Sequence, residues 1–97
     1  SNVPSEFNLA QNFPNPFNPE TTIAFDVAEN AQVTLEVFNM LGQRISILTD
    51  QRMQPGNYKV VWNGQDDNGL TVPSGVYLYR LQTSNGFQKS MKMLLVK

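Results

Sequence analysis

The residues of this sequence that could carry chemistry are its eight acidic side chains, because the chain contains no histidine and no cysteine. The absence of cysteine excludes disulfides and thiolate catalysis, and the absence of both residue types excludes Cys/His zinc sites and histidine-dependent triads. The acidic residues lie in predicted turns, near the chain ends or on predicted outward strand faces, at Glu6, Glu20, Asp26, Glu29, Glu36, Asp50, Asp66 and Asp67. No two of them are placed to share acid and base roles, so we predict that the chain is not an enzyme.

The most polar loop of the chain, around Asp66, is the best candidate for a metal site. Aligning Gly69 with the invariant glycine of the helix–loop–helix calcium loop places Asp66 and Asn68 at liganding positions. The same alignment puts Gly64 at the first position and Gly75 at the last, where the motif has carboxylates. We therefore interpret the segment as a solvated loop and expect no metal and no cofactor, with an adventitious ion as the open alternative.

Length and composition describe one globular domain. The chain has 97 residues, 40% of them hydrophobic and 15% charged, which is enough for a single modest core. The formal net charge of −1 gives no reason to expect nucleic acid or an anionic membrane as a partner. No apolar run approaches the roughly 18 residues that span a bilayer, so we expect no direct membrane insertion.

The two halves of the chain differ in charge, since most acidic residues lie in the first half and most basic residues in the second. We interpret this mainly as charge matching between facing strands of one fold. We also expect Ser1-Asn2 to be a remnant of protease cleavage, and residues 3–97 to form a single domain excised from a larger parent chain.

Residues 74–81 predict a central strand, because they combine β-branched, aromatic and apolar residues. Because successive side chains of a strand point to opposite faces, Tyr77, Tyr79 and Leu81 are predicted to face the core and Arg80 the opposite side. Gly75 marks the bend into this strand. Alternation predicts further strands within residues 21–27, 32–38, 44–49, 58–62 and 87–97, and a short first strand within 7–11.

Turn residues separate these strands. Gly42 predicts a left-handed residue that closes a hairpin turn, after which Arg44 can pair with Glu36 on the outer face. Gly56 predicts a second positive backbone angle next to Pro55. Trp62, the only tryptophan, is the predicted centre of the core.

Residues 12–19, which we call the corner, contain three prolines in six positions and can form neither a helix nor an interior strand. We predict a rigid turn in which Asn15 and Asn18 bond nearby backbone, and in which Phe13 and Phe17 anchor one end of the core. Its motif residues are Pro14, Asn15, Pro16, Phe17, Asn18 and Pro19. A proline-rich peptide-recognition motif is the alternative.

Residues 92–97, which we call the tail, are Lys92, Met93, Leu94, Leu95, Val96 and Lys97. Two lysines bracket a stretch that is apolar on both faces of the last predicted strand. Such a strand is either covered on both sides or recognised by another molecule. Six or seven short strands, with no helical periodicity, predict an all-β fold, an antiparallel immunoglobulin-like β-sandwich of about seven strands.

The chain resembles the C-terminal sorting domains of the type IX secretion system, of type A, which occur on exported proteins of the Bacteroidetes and related phyla. The resemblance covers about residues 7–97 and follows the family's order of motifs. These motifs are Leu9 to Pro19 with Thr21-Thr22-Ile23, Asn39 to Gln43, Gly56, Trp62-Asn63-Gly64, Gly69, Ser74 to Leu81, and Lys92 to Lys97. Asn63 stands where an aspartate is commoner in that family.

The resemblance implies an immunoglobulin-like fold similar to that of the flagellar hook-cap protein FlgD. It also implies that the domain directs a covalently linked upstream cargo across the outer membrane, so that the protein is secreted or held at the cell surface. The implied partners are the translocon, which would recognise residues 92–97, and a surface sortase, after which the cargo is released or attached to lipopolysaccharide. The alternative is a structural or carbohydrate-binding accessory module of a secreted hydrolase.

Overall fold

The computed structural model describes residues 3–97, so the predicted cleavage remnant Ser1-Asn2 lies outside the described residues. The described chain forms strands and no helix, and it contains no helix that could cross a membrane. The strands are β1 Asn8–Leu9, β2 Thr21–Val27, β3 Ala31–Phe38, β4 Arg44–Met53, β5 Gly56–Trp62, β6 Gly75–Thr83 and β7 Gln88–Leu95.

The strands form two packed sheets. One has the order β1-β2-β5 and the other the order β4-β3-β6-β7. Every pairing between neighbouring strands is antiparallel. Consecutive strands β2 and β3 lie in different sheets, as do β4 and β5, so the chain crosses from one sheet to the other. This arrangement confirms the predicted immunoglobulin-like sandwich of seven strands.

Alternating side chains build the core between the sheets, as predicted for strands with one buried face. In β6, Tyr77, Tyr79 and Leu81 are buried while Val76 is exposed. β6 lies between β3 and β7 and is therefore the predicted interior strand. The same alternation buries Ile23, Phe25 and Val27 in β2, and Val33, Leu35 and Val37 in β3.

The hairpin turn between β3 and β4 is tied together by Asn39. The backbone N–H of Asn39 donates to the carbonyl of Gln43, and the N–H of Gly42 donates back to the carbonyl of Asn39, both at 3.0 Å. Gly42 has a φ of 83°, which confirms the predicted left-handed position.

Glu36 joins two basic residues on the outer face of the four-stranded sheet. One of its carboxylate oxygens lies 3.1 Å from Arg80 and the other 3.5 Å from Arg44. Arg80 faces Glu36 directly across β3 and β6, and its guanidinium lies 4.8 Å from the centre of the Phe38 ring. The predicted pairing of Glu36 with Arg44 is confirmed, and Arg80 is a second partner.

Three local predictions were wrong. Asn15 was predicted to bond nearby backbone, but its side-chain oxygen accepts the N–H of Leu94, 79 positions along the chain. Phe13 was predicted to anchor the core, but its side chain is 78% exposed. Its backbone pairs with that of Thr22, so its side chain shares the outer face with Thr22. Gly56 was predicted to take a positive φ, but it does not; it already belongs to β5, where it faces Val27 in extended conformation.

Candidate recognition surface

The corner lies along the free edge of β7 and holds the tail in place. The backbone N–H of Phe17 donates to the carbonyl of Leu94 at 3.0 Å, and the N–H of Val96 donates to the carbonyl of Phe17 at 2.9 Å. The side-chain oxygen of Asn15 accepts the N–H of Leu94 at 2.9 Å. The corner thus supplies the hydrogen-bond partners that an edge strand otherwise lacks.

Contacts on either side extend this attachment. The side-chain amide of Gln11 donates to the carbonyl of Lys92 at 2.7 Å. At the other end, the N–H of Lys97 donates to the hydroxyl of Ser74 at 3.1 Å. The backbone of the tail is therefore held from Lys92 to Lys97.

The tail residues separate into two groups. Met93 and Leu95 are each only 1% exposed and belong to the core. Leu94 and Val96 are exposed by 37% and 45%, and the flanking lysines Lys92 and Lys97 are also exposed. Of the six predicted recognition residues, four are thus accessible to a partner in the folded domain and two support them from below.

An aromatic cluster lies beneath the tail. The ring of Trp62 lies 5.8 Å from that of Phe17 and 5.4 Å from that of Tyr77. The indole N–H of Trp62 donates to the carbonyl of Gln65 at 2.9 Å, and the Tyr77 hydroxyl donates to the carbonyl of Pro73 at 2.6 Å. These rings connect the corner, β5 and β6, and Tyr77 faces Met93 of the tail across β6 and β7. The prediction that Trp62 belongs to the core is confirmed, since it is 1% exposed.

Hydrogen bonds inside the corner fix its shape. The carbonyl of Pro14 accepts the Thr21 hydroxyl at 2.8 Å and the Asn12 side-chain amide at 3.2 Å. Asn12 also donates to the Thr21 hydroxyl at 2.9 Å. The Phe13-Pro14, Asn15-Pro16 and Asn18-Pro19 peptide bonds are all cis.

The remaining predicted motif residues occupy different places. Pro16 and Asn18 are exposed on the corner, and the carbonyl of Pro19 lies 3.3 Å from where a Cβ on Gly64 would stand. Gly75 faces Leu95 across β6 and β7 and so borders the tail. Gly42 lies in the β3–β4 turn and takes no part in this attachment.

Sequence reasoning missed three residues that hold the tail or the corner, namely Gln11, Asn12 and Ser74. Asn12 has a signal in the sequence, because a polar residue directly before a proline-rich turn can satisfy backbone groups there. Nothing in the sequence links Ser74 with Lys97 or Gln11 with Lys92, since these contacts arise from tertiary folding alone.

The polar loop uses its acidic residues for local structure. One carboxylate oxygen of Asp66 accepts the N–H groups of Asn68 and Leu70, both at 2.9 Å. Asp67 accepts the N–H of Ile47 in β4 at 2.9 Å. Within residues 3–97, no group of three or more Asp, Glu, His or Cys residues is arranged to hold a metal ion.

The aromatic residues that could line a carbohydrate site are buried. Trp62, Tyr77 and Tyr79 are 1%, 5% and 0% exposed. Burial raises the pKa of Tyr79 to about 12, although the hydrogen bond from the Asn12 backbone opposes this shift. Burial also raises the pKa of Tyr77. These rings serve packing, and they form no row on the surface.

Comparison with known proteins identifies similar folds. A model of the FlgD Ig-like domain family matches residues 12–86, whereas no curated protein matches the chain. A FlgD structure from P. aeruginosa has 18% sequence identity and a TM-score of 0.61, covering 84% of this chain and 70% of that one.

Two structures from Porphyromonas gingivalis are also similar. Dimeric latent PorU has 22% identity and a TM-score of 0.72, covering 89% of this chain but 9% of PorU. PorZ, described as a bacterial surface component of the type IX secretion system, has 19% identity and a TM-score of 0.61, covering 94% of this chain and 11% of PorZ. The chain thus spans about a tenth of either protein. At identities this low, the structural similarity shows that the fold is shared and nothing more.

Proposed function

Because the chain belongs to the family of FlgD Ig-like domains, we propose that it is a non-catalytic signal domain built on this fold, which directs a covalently linked protein across the outer membrane through the type IX secretion system. The motif resemblance described above supports this proposal. So does the similarity to a tenth of PorZ, a protein described as belonging to that system.

The observation that carries the proposal is the fixed display of the tail. Lys92, Leu94, Val96 and Lys97 are exposed on a backbone that the corner holds from the side. The last residues of a domain are normally poorly ordered unless they are tied down. Here the attachment gives a partner a preformed surface, so binding costs less ordering entropy.

The proposed partners are the translocon, which recognises these four side chains, and a surface sortase that removes the domain after export. The protein is then secreted or attached to the cell surface. Because the core buries Trp62, Tyr77 and Tyr79, these three side chains give no support to the carbohydrate-binding alternative.

The test fuses a reporter protein ahead of this domain in a bacterium with a type IX system. Removing the tail would also remove Met93 and Leu95 from the core, so substitutions at the surface give a cleaner result. The variant combines Lys92→Gln, Leu94→Gln and Lys97→Gln. Its matched control is Lys89→Gln, which changes an exposed lysine on the same strand outside the tail.

We expect the tail variant to keep its thermal stability, since surface substitutions usually change the free energy of unfolding by less than about half a kcal/mol. The reporter should accumulate in the periplasm with the tail variant and be exported normally with Lys89→Gln. Equal export of both would show that the tail is not the signal, and the accessory-module alternative would replace the proposal.

A further inference from the structure

Large apolar side chains that are exposed gather at one end of the sandwich. Residues 3–97 contain nine of them, and eight lie where β2, β4 and β6 begin and β3, β5 and β7 end. We call this the apolar end; its members are Phe13, Met40, Leu41, Val61, Leu70, Val76, Leu94 and Val96. The ninth, Val3, precedes β1. Single exposed apolar residues are normal, but eight at one end are a concentration that packing does not explain.

These side chains point in opposite directions. Phe13 and Val61 both face Thr22 across their strands, so they lie on the outer face of the three-stranded sheet. Val76 and Leu94 face each other in the four-stranded sheet and lie on its outer face. The molecule measures 40 × 23 × 19 Å, so the thickness of the sandwich separates the two pairs. A flat protein surface would reach one pair and leave the other in water.

The most exposed member, Leu41, is held by a fixed turn. It is 84% exposed and its neighbour Met40 is 58% exposed. The side-chain oxygen of Asn39 accepts the N–H groups of Leu41 and Gln43 at 2.9 and 3.0 Å. The turn therefore presents two apolar side chains to solvent without needing to be ordered by a partner.

We propose that the apolar end docks peripherally on the interface of a lipid bilayer. A bilayer interface surrounds whatever enters it, so it can contact side chains on opposite faces of the sandwich at once. Apolar groups of peripheral proteins enter the boundary between headgroups and acyl chains to a depth of about 5–10 Å. Docking of this kind needs no membrane-spanning segment, and the inference does not depend on the sorting role.

The charged residues at this end indicate whether docking requires anionic lipid headgroups. The strand ends at this end of the sandwich are flanked by three basic residues, Arg44, Lys92 and Lys97, and by three acidic residues, Glu20, Asp66 and Asp67. Because these charges give no excess of positive charge to attract anionic headgroups, we expect the apolar side chains to drive docking. It should occur on zwitterionic lipid and should resist salt, which screens exposed charges over about 10 Å at 0.1 M.

The test measures sedimentation of the purified chain with phosphatidylcholine–phosphatidylethanolamine vesicles, with and without anionic phosphatidylglycerol. We expect binding to both preparations, unchanged by added salt. Leu41→Asp should weaken the vesicle partition coefficient by about tenfold or more, because it replaces an inserted apolar side chain with a charge. The matched control Val3→Asp introduces the same charge at an exposed valine outside the apolar end and should bind normally.

The proposal is overturned if neither preparation binds, if only anionic vesicles bind and salt releases the chain, or if Leu41→Asp binds as well as the unchanged chain. Analytical ultracentrifugation without lipid measures whether the chain forms a dimer. A dimer that Leu41→Asp dissociates would show that a second copy covers this end and would also overturn the proposal. Thermal melts of each variant verify that it is folded, and none of these results bears on export.

Discussion

The hydroxyl of Tyr79 joins β6 to the chain entering the corner, because it accepts the backbone N–H of Asn12 at 2.8 Å and donates to the carbonyl of Ala10 at 2.7 Å. Tyr79 is 0% exposed. A single buried hydroxyl thus satisfies two backbone groups almost seventy positions away in sequence and fixes where the corner begins.

Tyr79→Phe should lower the free energy of unfolding by about 1–3 kcal/mol, because it leaves the N–H of Asn12 and the carbonyl of Ala10 without their partner. Denaturant unfolding measures the change. The control is Tyr58→Phe, which removes a hydroxyl bonded to the Gln54 carbonyl at an exposed position and should cost less. Equal losses would mean that the Tyr79 hydroxyl has no special role.

Stability should fall at alkaline pH, because burial raises the pKa of Tyr79 to about 12, whereas an unfolded tyrosine titrates near pH 10. Above about pH 10 the unfolded chain loses this proton while the folded chain keeps it, so the equilibrium shifts toward unfolding. The contribution of protonated Tyr79 to the free energy of unfolding is fully present below about pH 10 and is lost as the pH rises through about 12.

Tyrosinate absorbance measured against pH tests this titration. The last part of the absorbance change should appear near pH 12 and coincide with unfolding, and it should be missing in Tyr79→Phe. A tyrosine titration that is essentially complete by about pH 11 in the folded protein, as expected for unshifted tyrosines, would contradict the expected shift.

Trp62→Ala should cost about 3–5 kcal/mol of unfolding free energy, as for other buried aromatic residues replaced by alanine. The indole contacts the rings of Phe17 and Tyr77, so its removal opens the core below the tail. Val61→Ala, at the adjacent position with 56% exposure, should cost less than about half a kcal/mol. Similar melting temperatures for the two variants would disprove the central role of Trp62.

Gly42→Val should destabilise the domain by about 1–2 kcal/mol, because Gly42 has a φ of 83°, which β-branched residues avoid. A Cβ at this position would meet nothing within 4 Å, so the effect comes from the backbone alone. Gly42→Asn should cost less, since asparagine tolerates this conformation better. Thermal melts that rank the asparagine variant equal to the valine variant would contradict this cause.

Asn15→Ala should loosen the tail locally without unfolding the domain. The Asn15 side chain accepts the N–H of Leu94, and a typical hydrogen bond contributes about 0.5–1.5 kcal/mol. Amide hydrogen exchange at Leu94 should therefore become roughly two- to tenfold faster. The N–H of Val96 bonds to the Phe17 backbone and serves as the internal reference; equal acceleration at both amides would indicate general opening of the corner.

Alternation was sufficient to predict the strands and the buried faces of β2, β3 and β6, because each of these strands has one face in the core. The hairpin turn at Gly42 was also predictable, since its geometry depends on neighbouring residues. Phe13 shows where local reasoning fails. Either phenylalanine of the corner could point inward on composition alone, and only the pairing of Phe13 with Thr22 sends its side chain outward.

The recognition surface was predictable in part. The tail stands out in the sequence as a lysine-bracketed apolar stretch, but alternation alone leaves open which members face a partner. The structure separates Met93 and Leu95 from Leu94 and Val96. The attachment of the tail by Asn15, Phe17 and Ser74 joins segments far apart in the chain, and such pairings follow from tertiary packing.

The burial of Met93 and Leu95 ties the proposed export signal to the completion of folding. The same strand closes the core with one face and displays Lys92, Leu94 and Val96 with the other, so the signal takes shape only once β7 has docked beside β6. A translocon that recognises this face would not bind a partly folded or truncated domain.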